Sequence, residues 1–495
     1  MPIYNSEQGL SGEDCLWFYN LKDCVYTDEV GEEIAKVQKA LGLEQINTWQ
    51  QALFWPVLRA MQIGVKIDLA KREELIQEVR EQVASRHKFL TDVLGHPLNP
   101  ASPLQMKKLF YDDLKQPVIM KRGKKGEPSR PTLEDDALQT IGKREPLLRP
   151  IVNAISDIRT LSMFLSNFLT KPLDEDSRMR CSYNIGGSES GKSAPKTYRL
   201  SSSENAFGSG ANLQAVPSEK SKSLGKAAAR QSGANITELG DPYHFPNIRS
   251  MFVPDSGKTF FDGDLDRADL QVVVWEANDE MLKSALHLGA DIHLVNAFVL
   301  EGKEPPPLDE LVESHPKYKD HRGPRKHFRE FAKVFCHATN YGGSPRTIAA
   351  ATGRTIHEVD RAQKIWFGAH PGIKTWHSRV EVQIKKHRFV QNQFGYRWYI
   401  FDRLDMLLPE ALAWIPQSTV SNAINKLWQR LYDELPEVEV LMQVHDSLCG
   451  QFPTERKGEL VSAINDKAKI VVPYPDPLVI PFSVKTSEIS WGDCK

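Results

Sequence analysis

Two apolar runs that end in carboxylates constrain this chain more than any other feature. FFDGDLDRADLQVVVWEA (260–277) reads as a hydrophobic strand closing on Asp262-Gly263-Asp264, then a helix with an apolar face of Leu270, Val273 and Val274. Far downstream, LMQVHDSLCGQF (441–452) reads as the two apolar flanks of a hairpin with His445-Asp446-Ser447 at its bend. Taken singly, each aspartate is a turn residue at a strand end. Brought together on rigid backbone, Asp264 and Asp446 can bridge two Mg²⁺ ions about 3.5–4 Å apart.

Between the two runs stands RKHFREFAKVFCHATNYGG (325–343). Arg329, Lys333, His337 and Tyr341 recur every four residues. On an α-helix each such step drifts only about 40°, so all four share one face over about 18 Å. An Arg and a Lys at one end can clamp triphosphate oxygens, and an aromatic ring at the other can stack under a base pair. The same spacing, met alone, describes an amphipathic helix with a solvated basic stripe.

At 495 residues the chain is long for one core, so several lobes are expected. Hydrophobic residues at 40% and charged residues at 26% describe an ordinary soluble globular protein. No apolar run approaches the roughly 20 residues of a membrane helix. The polar, acidic N-terminus lacks a secretory apolar region, so the expectation is a cytoplasmic protein without a membrane partner. Cys15, Cys24, Cys181, Cys336, Cys449 and Cys494 form no CxxC pair, which argues against a zinc site or disulfide framework. A net charge of −1 gives no global nucleic-acid signature, although a duplex needs only a local basic track.

The spacing predicts mostly helix over 28–92, with a turn at 64–68 and a new helix from about Leu69. A linker at 98–104 leads into a small helix at 104–114 and a basic loop at 121–131. Thr132 is the expected N-cap of the next helix, with Glu134 and Asp135 in its first turn; another helix runs from about Leu147 to Leu169. The stretch from about 218 to 240 reads as a flexible insertion, a solvated loop or a basic DNA-touching arm. Helices dominate from about 280 to 430.

The three chemistry-bearing segments resemble motifs A, B and C of the family A DNA polymerases, the group of bacterial DNA polymerase I and its phage relatives. Motif A is matched by Asp264, Asp269 and Leu270, motif B by Arg329, Lys333, Tyr341 and Gly342, and motif C by Val444-His445-Asp446. TYRLSSSENAFGSGANLQAVP (197–217), NIRSMFVP (247–254), DIHLVNA (291–297) and FGYRW (394–398) with Gln417 agree with further family segments in the same order. The resemblance runs from about residue 50 to the C-terminus. It implies an α+β right-hand polymerase, with an antiparallel palm sheet and largely helical thumb and fingers. The implied parts are the end of an exonuclease-like domain at 1–50, thumb at 51–180, palm at 181–280, fingers at 281–380 and the rest of the palm at 381–495.

By this similarity Asp264, Asp446 and the Leu265 carbonyl hold two Mg²⁺ ions, for which Mn²⁺ can substitute. Arg329 and Lys333 bind the β- and γ-phosphates of a dNTP, Lys333 also being a proton donor to the leaving group, and His293 reaches a phosphate. Tyr341 and His337 lie at the nascent pair and Asp269 at the sugar. Arg199, Asn212, Gln214, Gln417 and His445 contact primer–template DNA, with Arg199, Gln417 and His445 on its minor-groove side. The family usually carries Glu at 269, Phe or Tyr at 337, Glu at 447 and Arg at 271; here stand Asp269, His337, Ser447 and Gln271. The shorter Asp269 leaves room at the sugar 2′ position. Tyr19 and Asp23 have the Tyr-x-x-x-Asp form of the family's last 3′–5′ exonuclease motif, with only 18 residues before them. The expectation is a DNA polymerase of phage-type replication without proofreading on this chain, its exonuclease on a partner chain or lost, in a bacterial or phage-infected cytoplasm beside replisome proteins. The alternatives are a gap-filling or lesion-tolerant repair polymerase and a catalytically weak DNA-binding scaffold.

Overall fold

The computed structural model describes residues 12–121, 128–185, 198–204, 208–217, 245–401, 404 and 407–494. The insertion read at 218–240 and the centre of the basic loop at 121–131 lie outside the described residues.

The chain opens with helix α1 (Gly12–Leu41), none of whose residues is buried. Tyr19 and Asp23 stand on it, one turn apart. The turn expected at 64–68 is instead strand β1 (Val65–Ile67), with Val65 and Ile67 buried and Lys66 exposed. Two β-branched residues flanking a lysine make a half-buried strand once partners exist on both sides. Those partners come from far along the chain. Gly64, at φ +64°, lets β1 approach them closely: a Cβ there would stand 2.5 Å from the Arg180 side chain. Helix α2 (Leu69–Leu94) follows, its first turn capped by Asp68, whose carboxylate accepts from the Lys71 N–H at 3.0 Å.

Helix α3 (Asp135–Arg144) starts later than expected. Its N-cap is Glu134, and the Thr132 hydroxyl accepts from the Glu134 N–H within the preceding turn, because Thr132 is held as a loop by the Tyr111 hydroxyl on its carbonyl. Asp135 and Asp136 occupy the first turn. Helix α4 (Arg149–Phe164) packs against α2 and α3 around Leu90, Phe110, Leu138, Ile141, Ile155 and Ile158, a core separate from the main one. Arg86 of α2, fully buried, pairs with Asp157 of α4 at 2.9 Å. Strands β2 (Arg178–Met179) and β3 (Phe252–Val253) flank β1 antiparallel on either side.

Strand β4 (Lys258–Leu265) leads through a tight turn into helix α5 (Ala268–Ala277). The single apolar face expected for α5 is a correction: Val272, Val273, Val274 and Trp275 are all buried, and Leu270 is only partly so. Val272 and Val274 belong to the main core, whereas Val273 joins a second cluster with Trp376 and Trp414. A helix covered on all sides needs no amphipathic stripe. Next come α6 (Ile292–Leu300), α7 (Tyr318–Asn340), α8 (Pro371–His387) and α9 (Leu408–Glu434). The hairpin β5 (Glu439–Val444) and β6 (Ser447–Pro453) forms as expected, and the edge strand β7 (Phe482–Ser487) completes the sheet.

That central sheet has the order β5-β6-β4-β7, all antiparallel. Its apolar face is closed by the Phe482 ring lying directly on Gly263, where a Cβ would be 2.3 Å away. The fold is therefore α+β, with one antiparallel sheet at the centre and helices around it. Among the described residues no helix is long and apolar enough to cross a membrane.

Candidate active site

The period of two along β4 puts Asp262 and Asp264 on the same face of the sheet. Register sets Ser447 of β6 opposite Asp264 on one side and Ser483 of β7 opposite it on the other. The bend between β5 and β6 is made by His445 in the left-handed region at φ +60°. It is tied to β4 by the Leu265 N–H, which donates to the Asp446 carbonyl at 3.3 Å. Sheet register thus delivers the two aspartates to one place.

Their environments differ from those of neighbouring carboxylates. Asp262 is engaged by the Trp491 indole N–H at 2.9 Å and the Cys449 thiol at 3.4 Å, with the Arg249 guanidinium 3.8 Å away. Among the described residues Asp264 has no such donors. Its carboxyl is pushed up to about 7 by desolvation, then by the Asp446 and Asp262 carboxylates, with Lys485 on β7 pulling the other way. A divalent cation relieves that repulsion. Among the described residues no group of three or more His, Cys, Asp or Glu could hold a metal ion. Two neighbouring carboxylates that repel one another are a donor set suited to a divalent cation, which one or two carboxylates plus substrate phosphates can hold. Ser447 takes no part: it is buried and its hydroxyl donates to the Val444 carbonyl at 2.9 Å, closing the bend.

Asp269 lies in the first turn of α5 with one carboxylate oxygen buried and unbonded. Burial raises its carboxyl, as does Asp446, while Arg199 and His337 pull it down. It also stands close enough to Tyr341 to help burial push that phenol well above its ordinary range. Asp269 thus links the carboxylate pair to the far end of α7. Gln271, buried two residues on, donates to the Asp266 carbonyl at 2.7 Å and so locks the β4–α5 turn.

On α7 the four-residue ladder is in place, with Tyr341 as the residue just past the helix end. The His337 and Tyr341 rings meet edge-on at 4.8 Å. Lys333 is exposed and has no ion pair among the described residues. Arg329 is engaged: its guanidinium bonds Asp291 at 2.6 Å and Glu330 at 3.0 Å. Asp291 also accepts from the Tyr318 hydroxyl at 2.9 Å and caps α6. Burial alone would raise the Asp291 carboxyl, yet the Arg329 and Tyr318 bonds hold it below its usual range. His293, two residues on, falls to about 4 through burial and the nearby Arg329 and Lys333 charges, and is therefore neutral at pH 7.

The residues expected to touch DNA fall into two sets. Arg199 and His445 are exposed, and Gln417 is half-buried on α9. Partial desolvation of the ring, and then the Arg199 charge, hold the His445 imidazole below its usual value. Asn212 and Gln214 are occupied internally. The Ser202 hydroxyl donates to Asn212 at 2.5 Å, and Gln214 both accepts from the Ser202 N–H and donates to the Leu200 carbonyl at 2.9 Å. They brace the strand that follows Arg199. Sequence reasoning missed Asp291, Lys485 and Arg249, which stacks 3.8 Å over Trp491 behind the carboxylates. Only Asp291 left a signal, as the residue before an apolar helical run, where an N-cap belongs.

With this geometry in view, comparison with known proteins is specific. The sequence profile of DNA polymerase family A matches residues 70–492, and the chain belongs to that family. It is similar to the thermostable DNA polymerase I of Thermus aquaticus, 25% identical over 490 residues, covering 93% of this chain and 51% of the relative. DNA polymerase I of Bacillus caldotenax is 22% identical over 448 residues, covering 87% of this chain and 44% of its own length. The chain thus spans about half the length of these curated relatives. Among solved structures, the POL domain of Pol1 from M. smegmatis, in complex with DNA primer-template and dNTP, shares the fold at a TM-score of 0.68 and 20% identity, covering 90% of this chain and 70% of that one.

Proposed function

We propose that the protein is a DNA-directed DNA polymerase that extends a primer 3′-hydroxyl with dNTPs on a template strand. The observation that carries this reading is the convergence of Asp264 and Asp446 through sheet register, beside a helix that presents Arg329, Lys333 and Tyr341 in line. A scaffold needs neither arrangement.

In this reading Asp264, Asp446 and the Leu265 carbonyl would hold two Mg²⁺ ions. When bound, such ions lower the pKa of the attacking hydroxyl and neutralise the leaving pyrophosphate. Lys333, exposed and uncommitted, binds the outer phosphates as a point charge and is the proton donor to the leaving group. Arg329 adds a planar donor fork once the triphosphate competes with Asp291 for it. His293, neutral at pH 7, offers a phosphate a hydrogen bond without a charge. Tyr341 and His337 stack at the nascent pair, and Asp269 bounds the sugar. Arg199, Gln417 and His445 read the minor-groove edge, whose degeneracy lets pair geometry be checked without reading sequence. Asn212 and Gln214 act one step back, holding the Arg199 strand. The thumb corresponds to the small lobe of α2, α3 and α4, the palm to the central sheet, and the fingers to the region of α6 and α7.

Gap filling or lesion tolerance is the second reading, favoured by the loosened wall at Asp269 and by Ser447 turned into the bend instead of toward the cleft. Primer extension with purified protein, Mg²⁺ and four dNTPs tests the main proposal. Wild type should extend the primer, and Asp446→Ala should lower the rate at least about 10³-fold, several kcal/mol of transition-state stabilisation. Undiminished extension by Asp446→Ala, or none by wild type, refutes it.

A further inference from the structure

We propose that α7 carries a second, outer polyphosphate subsite, formed by Lys319, Arg322 and Lys326, which gathers the triphosphate of the incoming nucleotide before Arg329 and Lys333 take it. The inference rests on the polymerase reading for its substrate and on the helix itself for its site.

The observation is that α7 begins at Tyr318, well before Arg329. On a helix of 3.6 residues per turn, Lys319, Arg322, Lys326, Arg329, Lys333 and His337 fall within about 80° of one another, and Lys319 stands about 21 Å from Lys333. The phosphate-binding end of the ladder therefore continues outward as an unbroken basic ridge.

Its charges are treated differently from their neighbours. Lys317 pairs with Glu310 at 2.6 Å, His321 with the same Glu310 at 2.9 Å, and Arg325 with Glu301 at 3.2 Å. None of these three points along the ridge. On the ridge, Lys319, Lys326 and Lys333 are exposed and have no ion-pair partner among the described residues. Arg322 rests over the Tyr318 ring, 5.8 Å from its centroid, and its Nε is buried with no hydrogen-bond partner. The carboxylate at the ridge's edge, Glu330, is engaged by Arg329; Asp320 lies more than about 90° away around the helix.

Like charges three and four residues apart repel and destabilise a helix, so an uncompensated row of them costs stability unless an anion answers it. The ridge runs away from Tyr341, the base-pair end of the ladder, and toward solvent. In the polymerase reading that is the line along which a free triphosphate would approach and pyrophosphate would depart. Cations lining one direction of approach raise the local concentration of such an anion and its association rate.

The test uses inorganic tripolyphosphate as a probe, titrated into the full chain without DNA or metal, comparing wild type with Lys319→Gln/Lys326→Gln and with Lys317→Gln as a charge-loss control. At low ionic strength the double variant should bind about five- to tenfold more weakly, the difference should close near about 0.5 M salt, and the control should match wild type. In primer extension kcat/KM for dNTP should fall by a similar factor with kcat held, and primer–template affinity should not change. Equal tripolyphosphate affinity in wild type and double variant overturns the subsite. A matching loss of DNA affinity assigns the ridge to nucleic acid and also overturns it. If tripolyphosphate binds through the ridge but wild type extends no primer, the subsite stands and the polymerase reading falls, so the two failures are distinguishable.

Discussion

Asp269 holds a carboxylate oxygen in a buried position with no donor to satisfy it, an arrangement that costs free energy unless a ligand answers it. Its neighbours are Asp446, Arg199, His337 and Tyr341, so the space it bounds lies between the metal-binding pair and the base-pair end of α7. The family places a longer glutamate at this position, where it crowds the sugar 2′ carbon. One methylene in a fitted pocket is worth about 1–3 kcal/mol. Asp269→Glu should therefore raise discrimination against ribonucleotides about tenfold or more, read as the ratio of kcat/KM for dNTP over rNTP. An unchanged ratio would show that the extra room is not used. At this scale much was legible. Strand ends and four-residue spacing are local patterns, so the placement of Asp264, Asp446 and the ladder was legible once their segments were read together. Hydrogen-bond commitments are not local: nothing in NLQ says that Asn212 and Gln214 hold Ser202 and Leu200, or that Arg329 is bonded to an aspartate on another helix.

The Asp291 cluster couples two elements, since one carboxylate caps α6, accepts from Tyr318 at the start of α7 and pairs with Arg329 three turns later. Both partners are largely buried, with side-chain exposures of 18% for Arg329 and 8% for Asp291, so removing the carboxylate leaves a poorly solvated cation. Asp291→Asn should cost about 2–4 kcal/mol at pH 7. The sign with pH follows from the depressed carboxyl: its contribution is present above the unfolded aspartate value near 3.8 and is lost as pH falls through the lower folded value. Denaturant melts of the two proteins should thus diverge above about pH 4 and converge once pH has fallen through the lower folded value. A gap that persists at the acid end would trace the loss to packing instead of charge. Element boundaries were the least legible part of the fold. Helix α7 runs through Gly323-Pro324, because losing one N–H bond is tolerated when the helix packs against α6 and the following helices. Strand β7 and the three-residue β1 were missed because such short segments become strands only beside partners remote in sequence.

Across the whole molecule, apolar residues gather into a main core and two smaller ones, and α2 crosses from the main core to that of the small lobe. Leu75, Ile76 and Val79 belong to the main core, whereas Leu90 belongs to the small lobe with Leu138, Ile141 and Ile155. Near the crossing sit Arg86, buried and bonded to Asp157, and the partly buried Val83, the apolar residue of α2 that touches both cores. Ile155 is fully buried in the small core, so Ile155→Ala should destabilise that lobe by about 2–5 kcal/mol through lost transfer energy and the cavity left behind. Under native conditions, amide exchange should then accelerate across α3 and α4 while protection in β4 and α5 stays at the wild-type level. If the lobe is the thumb that grips the primer–template duplex, the same substitution should weaken DNA affinity and shorten products while leaving the rate of single-nucleotide addition at saturating DNA nearly intact. Loss of protection shared equally by β4 would mean that the two cores unfold as one, and the lobe could not then move on its own during synthesis.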